Sequence, residues 1–547
     1  MTPKRAYATY YPAILAATII AAMYAQYLPA YLQNPWGVVE DDGRHFVAWL
    51  RNLSDPTLFT NDPIASYFSA LTPKLFTALH YPAVWLGIDV MGWNLIVLAP
   101  AIVGLTAFAA NRLLKRFFDD PLQRALCIGL IFFLTLNTVT AGLPRSFAYA
   151  IFFLCLSLYL ERKNALLALS LLLGANIYPV AVIVATAGIC MASLIALVTD
   201  RTLTAAEPKL TVTTLLAALI GLGIFMTSAN DLGATVTLKE AAGLKIFNAG
   251  GRTAFFDNTL LETVICSRRG GFFDDCLNLG PWGAIAIYGL LLGFATWCLR
   301  RTKPADTRAL RLLAGLLLGT AILFILSYAV AFKAHLPKRY SRTAFDLLVP
   351  IALTSLMLLP ELLRLTQFTT LKRWLSWIFP TAILIYVPVE WSGHYITDRH
   401  PDLSAHVRAM PVQTTVAGLC SYTDSLPTFA ARSVYVSREL SVPYKKDYYA
   451  LMSDRVAAQA RLFTLPVDAE WRNLLAKTGI DAFIAEPNDS RCWNRFTGSF
   501  ESMPSWPETT VFEAHEEATQ ACLFHQSGAK RLIDATCFAE RVASPGN

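Results

Sequence analysis

Apolar residues in this chain come in runs of roughly 18 or more, not in stripes three or four residues apart, and only a bilayer buries a helix along all its sides. That feature dictates a polytopic α-helical membrane protein. Charged residues agree, at 16% of the 547 against roughly 25% in a soluble globular chain. The net charge of +7 does not point to nucleic acid, because the Lys and Arg residues sit in short clusters between apolar runs, where they act as topology signals.

About eleven transmembrane (TM) helices are expected at the length a bilayer needs. They run near Tyr11 to Leu32, Met91 to Leu113, Leu122 to Val139, Phe147 to Leu160, Ala165 to Ile177 and Ala181 to Val198. Then follow Val212 to Ala229, Trp282 to Leu299, Ala309 to Ala331, Thr343 to Leu363 and Trp374 to Val389. Lys4 and Arg5 before the first run imitate a signal peptide, but no small-residue cleavage site follows before Tyr27, Pro29 and Tyr31, so the first span is expected to stay.

Short cytoplasmic loops are enriched in Lys and Arg. Lys4/Arg5, Arg112/Lys115/Arg116, Arg162/Lys163, Arg201/Lys209, Arg300/Arg301/Lys303/Arg308/Arg311 and Arg364/Lys372/Arg373 all fall on one side. The alternation puts the N-terminus inside, and loops 34–90 and 230–281 and everything after Glu390 outside. One outside loop, FKAHLPKRYSR, breaks the rule with Lys333, Lys338, Arg339 and Arg342. These either snorkel to lipid phosphates or form an anion site.

The chain thus divides into a transmembrane part, 1–390, and an extracytoplasmic α/β domain, 391–547. In the second part Ser433 to Ser437 and Asp481 to Glu486 read as strands. Asp447 to Leu462 and Glu470 to Lys477 read as helices, with Gly479 as the stop. Cys127, Cys155, Cys190 and Cys298 fall in apolar runs, whereas Cys266, Cys276, Cys420, Cys492, Cys522 and Cys537 fall in hydrophilic segments where an oxidising compartment allows bridges. The separation in CSRRGGFFDDC suits a Cys266–Cys276 disulfide.

The most informative stretch is VVEDDGRHFVAWLRNLSDPTLFTNDPIASYF in loop 34–90. Glu40, Asp41 and Asp42 follow the first span, and Gly43 releases a short helix. In it Phe46, Val47, Trp49, Leu50 and Leu53 are expected on the membrane, with Arg44, His45 and Arg51 toward water. From Ile64 to Ile88 the segment is aromatic but broken by Pro73, Lys74, His80 and Pro82, and is expected to lie at the interface. Asp41 and Asp42 also fit helix caps, and Asp62 fits an Asx-turn or cap before Pro63. Arg145, in GLPRSFAY, either contacts a ligand or anchors a helix end. His45 and His80 match no tight metal motif.

An acidic pair directly after the first helix, interfacial helices behind it and a terminal globular domain resemble the GT-C superfamily of multispanning sugar transferases. The strings DDGRHF, DPTLFTNDPIASYF and GLPRSFAY are also similar to a group of bacterial membrane proteins of this layout, which implies a bacterial inner membrane as location. The resemblance implies an inverting glycosyltransferase that moves a hexosyl or pentosyl unit from a polyprenyl-phosphate donor to a glycan, lipid or protein acceptor of the cell envelope. It implies Asp42 or Asp41 as catalytic base, with Arg44, His45, Asp62, Arg145, Lys338, Arg339 and Arg342 binding substrate. No nucleotide is required outside the membrane, and a divalent cation is compatible with the chemistry. Membrane lipids are the other expected partners. Two competing functions are a lipid or solute transporter and a non-catalytic assembly protein of the same architecture. Transporters carry intramembrane charges at their midplane, and here Asp346 is the main such residue.

Overall fold

The computed structural model of the protein describes residues 3–200, 206–227, 233–273, 276, 279–302, 307–333, 336–357, 378–386, 395–419, 421–464, 466–486, 489–497, 500 and 509–543. Among them, seven helices are long and apolar enough to cross a membrane. They are Thr9–Gln33, Val90–Leu114, Pro121–Val139, Pro179–Thr199, Lys209–Met226, Gly280–Arg301 and Thr307–Ala329.

Seven, rather than eleven, is therefore what the described residues establish. The expected fourth and fifth spans form helices Ala148–Leu160, behind a 3₁₀ turn at Pro144–Phe147, and Asn164–Ala175. At 1.5 Å per residue each falls short of a bilayer core of roughly 30 Å. Ala148–Leu160 is buried along nearly its whole length, so its apolar character is spent on neighbouring helices as much as on lipid. The expected tenth span is helix Lys338–Leu356, whose first half carries Lys338, Arg339, Arg342 and Asp346; its predicted end lies outside the described residues. Both ends of the expected eleventh span also lie outside them, with 378–386 seen as helix.

Glycine lets two of the spans approach closely. A Cβ on Gly315 would stand 2.5 Å from the Gly188 carbonyl oxygen and from the Ala192 amide, a distance only a missing side chain allows. Helix Thr307–Ala329 thus lies backbone to backbone on helix Pro179–Asp200.

The bundle has two chemically different ends. At one, Arg112 Nε donates to Glu161 Oε1 at 2.9 Å and the Arg308 guanidinium lies 4.4 Å from the Tyr159 ring centre. These groups sit at the C-terminal end of helix Ala148–Leu160. Arg145 sits just before its N-terminal end, about 20 Å away at the helical rise. Tyr178 and Arg339 likewise mark the starts of their own helices, Pro179–Asp200 and Lys338–Leu356.

Beyond the helices, strand β1 (Val38–Glu40) pairs antiparallel with β2 (Tyr395–Thr397), with Glu40 opposite Tyr395. A five-stranded sheet follows, ordered β4 (Ser433–Val434), β3 (Thr415–Gly418), β5 (Ala482–Ala485), β7 (Lys530–Asp534) and β6 (Leu523–Ser527). The β4–β3–β5 part is parallel and the β7–β6 hairpin antiparallel. Strand β5 is buried on both faces, as a strand covered by helices should be. The helix before it, Ala469–Thr478, is capped by Asp468, which accepts from the Trp471 amide at 2.8 Å, and stops at Gly479 with φ of 64°. Strand β4 is shorter than the expected Ser433 to Ser437: Ser433 and Val434 pair in register with Thr415 and Val416, and the last ladder bond runs from the Tyr435 amide to the Val416 carbonyl at 2.9 Å.

The first loop departs from expectation most. Its short helix, Gly43–Phe46, and the 3₁₀ turn Ala48–Leu53 do not lie on a surface with basic side chains in water. His45 and Arg51 are buried along with Val47, Trp49 and Leu50. The reason is a second covering layer. Arg51 donates through Nε and Nη2 to the two Asp89 oxygens, at 2.8 and 3.1 Å, and through Nη1 to the Thr428 carbonyl. Its guanidinium stacks 3.8 Å from the centre of Trp36, and Arg408 lies 4.2 Å from the same ring centre. A bidentate pair with these contacts replaces the water that Arg51 gives up. Pro63–Leu71, Lys74–Ala78 and Tyr81–Trp85 then form short helices, leaving Tyr81, Trp85 and Leu86 exposed.

Candidate active site

Strand β1 ends at Glu40, and the chain turns sharply because a Glu40 carboxylate oxygen accepts from the Gly43 amide at 2.9 Å. Burial, reinforced by the Asp42 charge, raises Glu40 to about 8. This carboxyl is a structural tie, held neutral under the turn.

The next two carboxylates face different ways. Asp41 is half-exposed and pairs with Arg44, whose Nε also donates to the Asp41 carbonyl at 2.9 Å and whose Nη1 donates to Ser425 Oγ at 3.2 Å. Asp42 begins helix Gly43–Phe46 but its side chain makes no cap hydrogen bond. Instead its Oδ2 lies 2.5 Å from Arg145 Nη1, and its Oδ1 lies 3.6 Å from His45 Nδ1. Burial works to raise the Asp42 pKa, but Arg145, then His45 and the more distant Arg339, overcome it and hold the carboxyl at about 2.

His45 is buried between this carboxylate and the sheet domain. Its Nε2 is 3.2 Å from the Glu439 carbonyl oxygen, 3.8 Å from Glu439 Oε1 and 3.5 Å from Arg252 Nη2. Burial lowers its pKa against the pull of Asp42. Glu439 is positioned by Asp424, which accepts from Ser437 Oγ at 2.6 Å and from the Glu439 amide at 3.2 Å. Burial raises the Glu439 pKa, yet the hydrogen bond and charge of Arg252 bring it down to about 2.

Further guanidiniums lie on other segments nearby, and of these Arg339 is within electrostatic reach of Asp42. Arg339 Nη1 donates to Tyr178 Oη at 3.2 Å. Arg269 donates to Tyr444 Oη and to the Arg252 carbonyl, both at 3.4 Å. Burial pushes Arg269 below the usual guanidinium range, and the charges of Arg252, Arg268 and Arg339 add to this while Tyr444 opposes it. A crowd of buried guanidiniums is an arrangement that an anion relieves. The Cys266–Cys276 disulfide, expected from the spacing, closes the loop that carries Arg268 and Arg269.

The remaining expected residues separate. Lys338 is buried at the start of its helix, where its carbonyl accepts from Ser341 Oγ at 3.1 Å. Arg342 faces Asp346 one turn on, Nε to Oδ2 3.5 Å, and the Tyr149 hydroxyl donates to that same carboxylate oxygen. Asp62 is a cap, accepting from the Ile64 and Ala65 amides at 2.7 and 3.2 Å. It lines a cavity of about 80 Å³ with Thr415, Ser433, Tyr435 and Arg455, so its place is beside the sheet with Oδ1 committed to the two amides. His80 is buried, its Nδ1 3.0 Å from the Phe76 carbonyl oxygen. Among the described residues, no three His, Cys, Asp or Glu side chains converge as a metal-ligand set.

Sequence reasoning had no function for Arg252, Glu439, Tyr178 or Tyr444. Arg252 stands in NAGGRTAFFDN, where glycine and phenylalanine draw the eye, and Glu439 follows β4 in a stretch without any motif. Compared with known proteins, the chain matches no family model and no curated protein.

Proposed function

We propose that the protein is an inverting glycosyltransferase of GT-C-like architecture that takes a sugar from a polyprenyl-phosphate donor at the membrane surface. The observation that carries this is the carboxylate of Asp42, paired with Arg145 and within electrostatic reach of Arg339 at one end of an apolar bundle. A cation cluster supplies what a departing phosphate needs, and stabilising charge where it develops is often the largest catalytic contribution. In the reaction, the acceptor hydroxyl oxygen bonds to the anomeric carbon from the face opposite the phosphate. Its proton passes to Asp42, and the bond from that carbon to the phosphate oxygen breaks with the electron pair leaving on polyprenyl phosphate.

The same reading includes an inner-membrane location, a cytoplasmic N-terminus and an extracytoplasmic sheet domain. Two observations support that side for the site. Disulfides Cys266–Cys276 and Cys522–Cys537 both belong to segments on the site side of the bundle, and such bonds persist in oxidising compartments. Exposed Tyr81, Trp85 and Leu86 in the first loop suit a headgroup layer.

Transfer by purified protein in lipid, over a panel of polyprenyl-phosphate sugars, tests the proposal. Asp42→Asn keeps shape and removes proton affinity, so turnover should fall about a hundredfold or more with folding intact. An Asp42→Asn protein that turns over an accepted donor at the wild-type rate would overturn the assignment.

One observation favours a transporter as the second reading: Asp346, Tyr149 and Arg342 form a polar group inside the helix region, as ion-coupled carriers do. Counterflow of lipid-linked sugar in vesicles, abolished by Asp346→Asn but not by Asp42→Asn, would favour it.

A further inference from the structure

Asp42 as it stands is a poor base. Its carboxylate is matched to Arg145, and a group that holds a guanidinium so well has little affinity for a hydroxyl proton. Either the carboxylate does not take the proton, or something removes the guanidinium first.

The geometry supplies the means for removal. The closest approach of Arg145 to Asp42 is through Nη1, while its buried Nε has no hydrogen-bond partner. The guanidinium therefore has unused donors. Both side chains keep access to open space, with 28% of the Arg145 side chain and 30% of the Asp42 side chain exposed, so a third group can reach the pair. Arg145 sits on the short turn Pro144–Phe147, where the Leu143 amide donates to Ser146 Oγ at 3.1 Å and fixes the backbone. Only the long side chain has to swing. The guanidiniums acting on Asp42 are those of Arg145 and Arg339, and the acids around it are Glu40 beneath the turn, Asp41 beside it and Glu439 across His45.

We propose that the donor's phosphate competes with Asp42 for Arg145, so that donor binding itself unmasks the carboxylate that deprotonates the acceptor. This rests on the reading of the site as a polyprenyl-phosphate sugar site, and it names what that reading lacks, the step that makes Asp42 basic. Arg145 passes from carboxylate to phosphate, where two parallel hydrogen bonds are available. Asp42 keeps His45 Nδ1 at 3.6 Å as its nearest neighbour and regains ordinary carboxylate basicity. One guanidinium then restrains the base before the donor arrives and holds the leaving group afterwards.

The test is binding of a long-chain polyprenyl monophosphate to the full chain in nanodiscs, with unphosphorylated polyprenol and inorganic phosphate as separate arms. Competition predicts that Asp42→Asn binds the phosphorylated lipid about tenfold tighter than wild type, the factor that one charge-assisted contact of 1.4 kcal/mol represents. Arg145→Ala should bind it about tenfold weaker or worse. In the Arg145→Ala background the gain from Asp42→Asn should vanish. Arg145→Lys, which keeps the charge, replaces Arg145→Ala if the latter does not fold. Polyprenol should bind all four proteins alike, and inorganic phosphate should follow the lipid's order if the headgroup alone drives the exchange. A gain from Asp42→Asn that persists without Arg145 would show simple repulsion between Asp42 and phosphate and overturn the exchange. No gain at all would overturn it too, and in both cases lipid binding by the wild type would leave the donor site standing. Absence of phosphate-dependent lipid binding in every protein would remove the donor site and the exchange together.

Discussion

Arg252 and Glu439 stand 187 residues apart in the chain and meet as an ion pair, Nε to Oε2 3.2 Å, beside the buried ring of His45. The pair joins the disulfide-closed segment's neighbourhood to the sheet domain, and it is mostly buried on the Arg252 side, with 13% of that side chain exposed.

Removing one partner of such a pair leaves the other charge without compensation. Glu439→Gln should therefore lower stability by on the order of 1 to 3 kcal/mol at neutral pH. Because Arg252 depresses the Glu439 pKa to about 2, this stability is present above the unfolded carboxylate value and lost as pH falls toward 2. The gap in melting temperature between wild type and Glu439→Gln should narrow steadily as pH is lowered from 7 to 3. Parallel curves would mean that Glu439 carries no charge-dependent load.

Glu40 has the opposite sign. Burial raises its pKa to about 8, so the folded state holds a proton that the unfolded chain releases near its ordinary value. Stability from this group is full below roughly pH 4.5 and declines as pH rises toward 8. Glu40→Gln keeps an acceptor for the Gly43 amide and removes the titration. The variant should match wild type near pH 5 and melt at higher temperature near pH 8. Equal melting temperatures at pH 8 would show that the carboxyl ionises without cost.

The Cys266–Cys276 bridge encloses Arg268 and Arg269, and Arg269 reaches Tyr444 and the Arg252 carbonyl from within it. By the chain-entropy estimate, a loop of this size is stabilised by about 2 to 3 kcal/mol. With Cys266→Ser and Cys276→Ser together, trypsin should cut at Arg268 and Arg269 at least tenfold faster while the helices keep their circular dichroism. Unchanged cleavage would show that packing alone holds the segment.

Local rules made part of this structure legible. Gly479 stops its helix in the left-handed region because glycine has no Cβ to clash, and the run Ala482–Ala485 forms a strand because it is short, apolar and follows that stop. The split between Asp41 and Asp42 follows from consecutive residues entering a helix in different directions. What was not legible depends on a second surface. Arg51 and His45 read as water-facing because helical periodicity describes one element's faces, not the domain that later covers them. Lys338, Arg339 and Arg342 read as one cluster because they are close in sequence, yet Arg342 turns inward to Asp346 while Arg339 meets Tyr178. Glu439 carried no signal, since its role depends on Arg252 arriving from a distant loop.

The pairing of β1 with β2 sets an order of events during synthesis. Val38 leaves the ribosome early but hydrogen-bonds opposite Thr397, so the strand that ends in Glu40 has no partner until nearly all the helices have been made and inserted. The acidic turn at Asp41 and Asp42 hangs from that strand and acquires its final shape only after the late segment docks. A nascent chain stalled before Tyr395 would carry every membrane helix described here and still present an unformed acidic turn.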